Sequence, residues 1–381
     1  MGRVFWISIA MVVAAPVMAQ TPVKVGVIAP FSGPFAQWGA QFRDGIEVFL
    51  ARHGETVAGR KLTFIYRDVG GPKPDVARAL AQELIANDKV DYLAGFVFTP
   101  NALAVAPLIS RANVPTVIFN AATSKITQTS DRFVRTSFTL WQVTAPLADW
   151  AAGEGIKTVV TAVSDYNPGI DAETAFKETF EAAGGTVVDT IRMPLSTTDF
   201  APIMTRVLGA APDAVFGFLP AGPPTFAFTK AYTDNGLPEA GIGFVGTGEM
   251  TDETTLEALG EGALGLTTSY HYAGALGGEN TAFLEALSGV RADAVANMAT
   301  VGAYDGVQVI AAMVAAAEKG TDPVEAVRGM ALTSPRGPAA IDAETRHVTQ
   351  NVYIRRVEKA GGALVNRPFV TIKAVPDLGL N

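Results

Sequence analysis

The residues of this 381-residue chain best suited to chemistry stand where apolar runs give way to polar turns. In GFVFTPNALAVAP, residues 95–107, Phe96 and Phe98 end what reads as a buried strand, and Thr99-Pro100-Asn101 opens a helix. Thr is a good N-cap, and Pro is favoured at the first helical position. A helix start leaves backbone N–H groups without partners. Those donors, with the positive end of the helix dipole, suit a carboxylate. The turn Asn120-Ala121-Ala122-Thr123-Ser124 offers similar groups. So do Ser164-Asp165-Tyr166-Asn167-Pro168-Gly169, Pro220-Ala221-Gly222 and Gly246-Thr247-Gly248-Glu249, while Trp38 lies in PFSGPFAQWGAQ. Hydroxyls, ring faces and bare amides dominate these turns, and charges are few. The dipole contributes up to about 2 kcal/mol, whereas micromolar binding needs about 8 kcal/mol. Apolar burial on Trp38, Phe98 and Tyr166 is expected to supply most of the rest. Structural roles account for the same residues: Thr99 and Thr123 as ordinary caps, Trp38 as packing, Glu249 as a solvated turn residue, and Asp305 as the brace of a neighbouring loop.

Catalytic patterns are missing from the sequence. The three histidines, His53, His271 and His347, are far apart, and there is no Cys to pair with them. No H-E-x-x-H, G-x-S-x-G or G-x-x-x-x-G-K-[ST] occurs, so no metal site and no catalytic residue is assigned. One G-x-G-x-x-G, GEGALG at 260–265, has a helix-like run before it and a strand-like run after it. That is the reverse of a dinucleotide fingerprint, and no cofactor is expected.

These turns need elements to hold them. Strands are expected at 23–29 (VKVGVIA), 61–69, 90–96 and 114–119, alternating with helices at 39–53, 75–87 and 101–112. Phe42, Ile46, Phe49 and Leu50 have helical spacing. After Leu140 the alternation restarts, with strands at 157–163, 186–194, 213–219 and 242–248. Helices at 146–155, 172–183, 200–209 and 225–235 lie among them. Such alternation predicts an α/β fold of two doubly wound, parallel-sheet lobes. A long helix at 297–319 and a hairpin around Gly361-Gly362 are expected to complete them. Ligands of such sheets sit beyond the carboxyl ends of the strands, where the turns named above lie.

The formal net charge is −8, which disfavours nucleic acid as a partner. Arg3, the apolar run 4–15 and Val17-Met18-Ala19 read as a signal peptide cleaved after Ala19, with the mature chain exported to the periplasm. The run is shorter than the ~20 residues of a spanning helix.

The pieces VGVIAPFSGPFAQWG, AGFVFTPNALAVAPL, NAATS, DYNPGIDAETAF and RGPAAID, in this order, resemble the periplasmic solute-binding proteins of the branched-chain amino-acid type, partners of ABC importers. The resemblance covers nearly the whole mature chain. It implies a type I periplasmic binding protein, a non-enzymatic monomer whose lobes are joined by a three-crossover hinge near 139–141, 269–272 and 348–351. It divides the chain into residues 1–19 (signal peptide), 20–140 with 271–348 (first lobe), and 141–270 with 349–381 (second lobe). It implies that the lobes close on a small ligand and that a membrane permease recognises the closed form. By motif, Thr99, Ala121 and Thr123 match the groups that hold the ligand carboxylate, Trp38 and Tyr166 the aromatic walls, and Glu249 the acid that takes an amino group. Phe98, Ala122, Pro220 and Gly222 complete the expected site. Where the family has a serine-rich turn this chain has Phe98-Thr99-Pro100, and Trp38 stands where Tyr is usual. These departures set an aromatic carboxylate or amide without an amino group beside the branched-chain or other hydrophobic amino acid. A ligand-sensing regulator and, more remotely, an NAD-dependent enzyme are the alternatives from other classes.

Overall fold

A computed structural model describes residues 21–380; the expected signal peptide lies outside the described residues. The first sheet holds β1 (Val23–Ala29), β2 (Thr56–Val57), β3 (Arg60–Asp68), β4 (Tyr92–Gly95), β5 (Thr116–Ile118) and β6 (Phe133–Arg135), in the order β2-β3-β1-β4-β5-β6. All its pairs are parallel except β2 with β3. β1 is buried along nearly its whole length, which is why it reads as a continuous apolar run without alternation.

The second sheet contains β7 (Thr158–Ser164), β8 (Thr186–Met193), β9 (Ala214–Phe218), β10 (Gly243–Thr247), β11 (Thr267–Tyr270), β12 (Ala331–Leu332), β13 (Ala339–Ile341), β14 (Val348–Ala360) and β15 (Ala363–Val375). Its order is β12-β13-β14-β11-β10-β9-β7-β8, with β15 on β14. The hairpin turn Gly361-Gly362 has φ of 59° and 89°, the two positive values that a tight two-residue hairpin needs.

Helices cover the sheets. Met298–Ala317 begins with Asn297, whose side chain accepts from the N–H groups of Ala299 and Thr300. It packs against helix Ala36–His53 of the first lobe. The two approach so closely that a Cβ on Gly45 would lie 2.1 Å from the Thr300 carbonyl oxygen. Apolar enough by composition to cross a membrane, this helix is instead largely buried in the core.

The chain leaves the first sheet after β6; after β11 it runs through helices Glu279–Val290 and Met298–Ala317, which pack on helix Ala36–His53, and it returns to the second sheet by β12, β13 and β14. Side chains tie these passages together. Gln142 Nε2 donates to the carbonyls of Val348 (2.9 Å) and Val375 (2.6 Å), and Gln350 Nε2 donates to the Ser137 carbonyl (2.8 Å). Phe138 of the first passage stacks on His271 of the second, with centroids 4.8 Å apart. The sequence boundary at 348 falls inside a continuous ladder: β14 starts on β13 and continues along β11. Just before it, the Arg346 carbonyl accepts from Arg135 N at the edge of the first sheet.

Candidate functional site

The carboxyl ends of β1, β4 and β5 face those of β7, β9 and β10 across a cleft. The space between its walls, counted out into open solvent, is about 320 Å³. From the first lobe it is lined by Trp38, Val97, Phe98, Asn120 and Ala122, with Phe138 and Leu140 from the first passage. Tyr166, Pro168, Phe218, Pro220, Ala221 and Glu249 line it from the second.

Local backbone geometry aims these side chains. Gly95 and Phe96 both have positive φ, 103° and 65°. That conformation is rare for a bulky residue and turns the chain so that Phe96 enters the core while Phe98 reaches the cleft. Phe98 meets Phe35 edge to face at 5.0 Å. On the far side, helix Asn167–Ala182 starts directly on the end of β7. A Cβ on Gly169 would lie 1.7 Å from the Ser164 carbonyl, so only glycine lets Tyr166 sit where it does. The Tyr166 ring lies nearly parallel to Phe218, 6.2 Å between centroids.

Six of the ten residues expected from sequence line the pocket: Trp38, Phe98, Ala122, Tyr166, Pro220 and Glu249. The other four are not on that lining. Thr99 is buried and donates its hydroxyl to Thr123 Oγ1 at 3.2 Å. It is the first residue of helix Thr99–Ala112, not its cap; Phe98 holds that position and its carbonyl accepts from Asn101 and Ala102. The Ala121 N–H is taken by the Phe96 carbonyl at 2.9 Å, so it has no free donor for a ligand. Thr123 holds the N-cap position of the short helix Ser124–Gln128, but its side chain makes no capping hydrogen bond. Gly222 binds its N–H to Thr225 Oγ1 at 3.1 Å.

The N–H groups of Phe98, Thr99, Ala122 and Thr123 have no protein acceptor among the described residues. The helix-start donors anticipated from the sequence are therefore present, displaced by one residue in the 121–123 turn.

Sequence reasoning missed Phe138 and Phe218. Phe218 ends a strand two residues before a named turn, and that position was the available signal. Phe138 lies in a crossover, and nothing local marks it.

The two walls touch. Trp38 Nε1–H donates to the Ala221 carbonyl at 3.2 Å, and Ser124 N–H donates to Asp171 Oδ2 at 3.2 Å. Both bonds join one lobe to the other, so this is a closed arrangement.

Glu249 is the single carboxylic acid on the lining. Burial pushes its carboxyl up to about 7. The hydroxyls of Thr247 and Tyr270 adjoin it, yet Oε2 closes no hydrogen bond of good geometry. The Tyr166 phenol is held well above its usual value by burial and then by Glu249. At neutral pH Glu249 can thus donate or accept. A raised carboxyl pKa has a definite linkage sign. The native state binds more protons than the unfolded chain between 4.5 and about 7, so stability falls as pH rises through that window. Glu249→Gln should flatten this slope. In thermal melts from about pH 5 to pH 8, the variant should gain on the wild type by up to about 3 kcal/mol at the alkaline end. A constant difference across the range would contradict the assignment.

A model of the periplasmic binding protein family matches residues 22–363. The Leu/Ile/Val-binding protein homolog 6 of Brucella abortus (strain 2308) is 50% identical over 364 residues, covering 94% of this chain and 93% of that protein. Among solved structures, the solute-binding protein of an ABC transporter from R. palustris, in complex with 4-hydroxybenzoate, shares 51% identity at a TM-score of 0.92. The match covers 95% of this chain and 99% of that one. A solute-binding protein from Rhodopseudomonas palustris BisB5, in complex with 3,4-dihydroxybenzoic acid, shares 42% identity at a TM-score of 0.90, with the same coverage.

Proposed function

The chain belongs to the periplasmic binding protein family and is the solute-binding component of an ABC transporter, and on that premise we propose that its solute is a small aromatic carboxylate carrying a ring hydroxyl, such as 4-hydroxybenzoate. The observation that carries this reading is the lining itself: Trp38, Phe98, Phe138, Tyr166 and Phe218 surround one pocket. The carboxylate is assigned to the unpaired N–H groups of Ala122 and Thr123, with those of Phe98 and Thr99 at the adjoining helix start. The ring lies between the aromatic walls. The hydroxyl goes to Glu249, which burial holds near half-protonation at neutral pH. A phenol needs a partner that can donate or accept, whereas an ammonium needs a full negative charge. The relatives that carry 4-hydroxybenzoate and 3,4-dihydroxybenzoic acid support the same choice.

A branched-chain amino acid is the second reading. It is favoured by the name of the Brucella relative and by the presence of an acid, Glu249, on the lining. The family binds solutes and is not an enzyme family. Export by the segment at 1–19, a monomeric state, recognition of the closed form by a membrane permease, and the division into lobes at 140, 270 and 348 belong to this proposal.

A thermal-shift panel on the mature protein, stripped of bound solute by unfolding and refolding, separates the readings. Ligand that binds the native state alone stabilises it by about 2.7 kcal/mol at a hundredfold excess over Kd. 4-Hydroxybenzoate should raise the melting temperature clearly and leucine should not. A shift with leucine, isoleucine or valine and none with the aromatic acids would reverse the assignment. Mass spectrometry of the solute released at unfolding gives an independent check.

A further inference from the structure

An anion in this cleft meets no Lys or Arg among the lining residues. Burying a carboxylate without compensating charge is strongly unfavourable, and helix termini supply only partial charges. A full positive charge lies one layer behind the lining. Arg135, the last residue of β6, is completely buried. It donates Nη2–H to the Thr123 carbonyl at 2.6 Å and Nη1–H to the Phe138 carbonyl at 3.2 Å. Its Nε–H has no partner.

The other deeply buried arginines behave differently. Arg336 holds Asp305 at 2.8 Å and Arg355 holds Glu253 at 2.8 Å. Arg135 holds no carboxylate directly among the described residues. Asp377 and Asp171 face it at longer range, as does His347. Burial lowers its guanidinium to about 10, which leaves it charged at neutral pH.

The peptide group it grips has a second role. The Thr123 carbonyl accepts from Arg135, and the N–H of the same peptide, on Ser124, donates to Asp171 across the cleft. One amide thus connects a buried cation in the first lobe to a carboxylate in the second, and such chains polarise each bond along them.

We propose that Arg135 is the positioning residue that makes the cleft selective for an anion. It grips the 122–123 turn through the Thr123 carbonyl, and its charge, which no carboxylate among the described residues contacts directly, is complemented by the carboxylate of the ligand. This inference rests on the aromatic-acid reading above.

The test compares 4-hydroxybenzoate with the neutral 4-hydroxybenzamide by calorimetry at about pH 7.5. Wild-type protein should prefer the acid. Arg135→Gln should lower affinity for the acid by about tenfold or more and change affinity for the amide by no more than about threefold. Arg135→Lys should keep the preference. Retained amide affinity also reports that the variant folds. Where Arg135→Gln fails to fold, Asp171→Asn gives the reciprocal measurement: removing a facing negative charge should increase the acid-over-amide ratio. Equal losses for acid and amide, an unchanged acid preference in Arg135→Gln, or an unchanged ratio in Asp171→Asn would overturn the inference while leaving the aromatic reading standing. Wild-type protein that binds neither compound overturns the aromatic reading, and this inference with it.

Discussion

Thr123→Pro should bind 4-hydroxybenzoate about tenfold to a hundredfold more weakly than the wild type, because a hydrogen bond to a charged group contributes about 1.5–3 kcal/mol. The substitution suits the backbone. Thr123 has φ −71° and ψ 132°, and proline holds φ near −65°. The change removes one N–H with little strain at its own position. It also removes the hydroxyl that accepts from Thr99, so Thr123→Val is the necessary companion. Valine keeps the N–H and loses only the hydroxyl. If the amide is what holds the carboxylate, the valine variant stays within a few-fold of wild type and the proline variant does not. Equal losses would move the contact to the hydroxyl, and no loss in either would remove Thr123 from the site. Calorimetric affinities measure the difference, and melting of the unliganded proteins checks that both remain folded.

Trp38→Ala should be more damaging still. The ring is 2% exposed, and it meets Phe42 edge to face at 6.3 Å. Its N–H spans the cleft to Ala221. Truncating a buried Trp costs about 3–5 kcal/mol in a core. Part of that loss falls on the ligand-bound form, so affinity should drop by about a hundredfold or more. Two effects contribute, and Trp38→Phe separates them. Phenylalanine keeps most of the ring surface and deletes the cross-lobe hydrogen bond, a change worth about 1 kcal/mol. The bond stabilises the closed state, so Trp38→Ala should also shift the unliganded population toward an open one. Small-angle scattering would register that as a larger radius of gyration. An affinity within threefold of wild type in Trp38→Ala would show that this ring is packing alone.

Much of the scaffold was legible because buried parallel strands read as apolar runs and their covering helices as runs of period 3.6. The helix expected at 297–319 is Met298–Ala317, and the Asn297 cap explains its sharp start. The hairpin at Gly361-Gly362 followed from its turn residues. The two- and three-residue strands β12 and β13 did not. Pieces that short carry no period, and they exist because β14 offers an edge to β13 and β13 offers one to β12. The site was legible as turns more than as side chains. Tyr166 and Glu249 were found because each lies just past a strand end, and Trp38 because it follows the turn after β1, although the structure places it inside helix Ala36–His53. Phe218 was lost within DAVFGFL, where every residue from Ala214 to Phe218 is buried and no alternation separates the face toward the cleft from the core. Phe138 stands on the hinge, so its place is set by the packing of Tyr270 and His271 against it. The donor register in the 121–123 turn was off by one because the ladder bond from Ala121 to Phe96 joins residues that sequence spacing does not relate.

The central claim is that an aromatic acid lies between the lobes with its carboxylate on the backbone amides of the first lobe. A crystal structure of the mature protein grown with 4-hydroxybenzoate tests it most directly. The expected result places both carboxylate oxygens within hydrogen-bond distance of the Ala122 and Thr123 nitrogens, the ring against Trp38 and Tyr166, and the phenol on Glu249. A ligand turned end for end, with its carboxylate on the second lobe, or a cleft left empty at saturating acid, would contradict it.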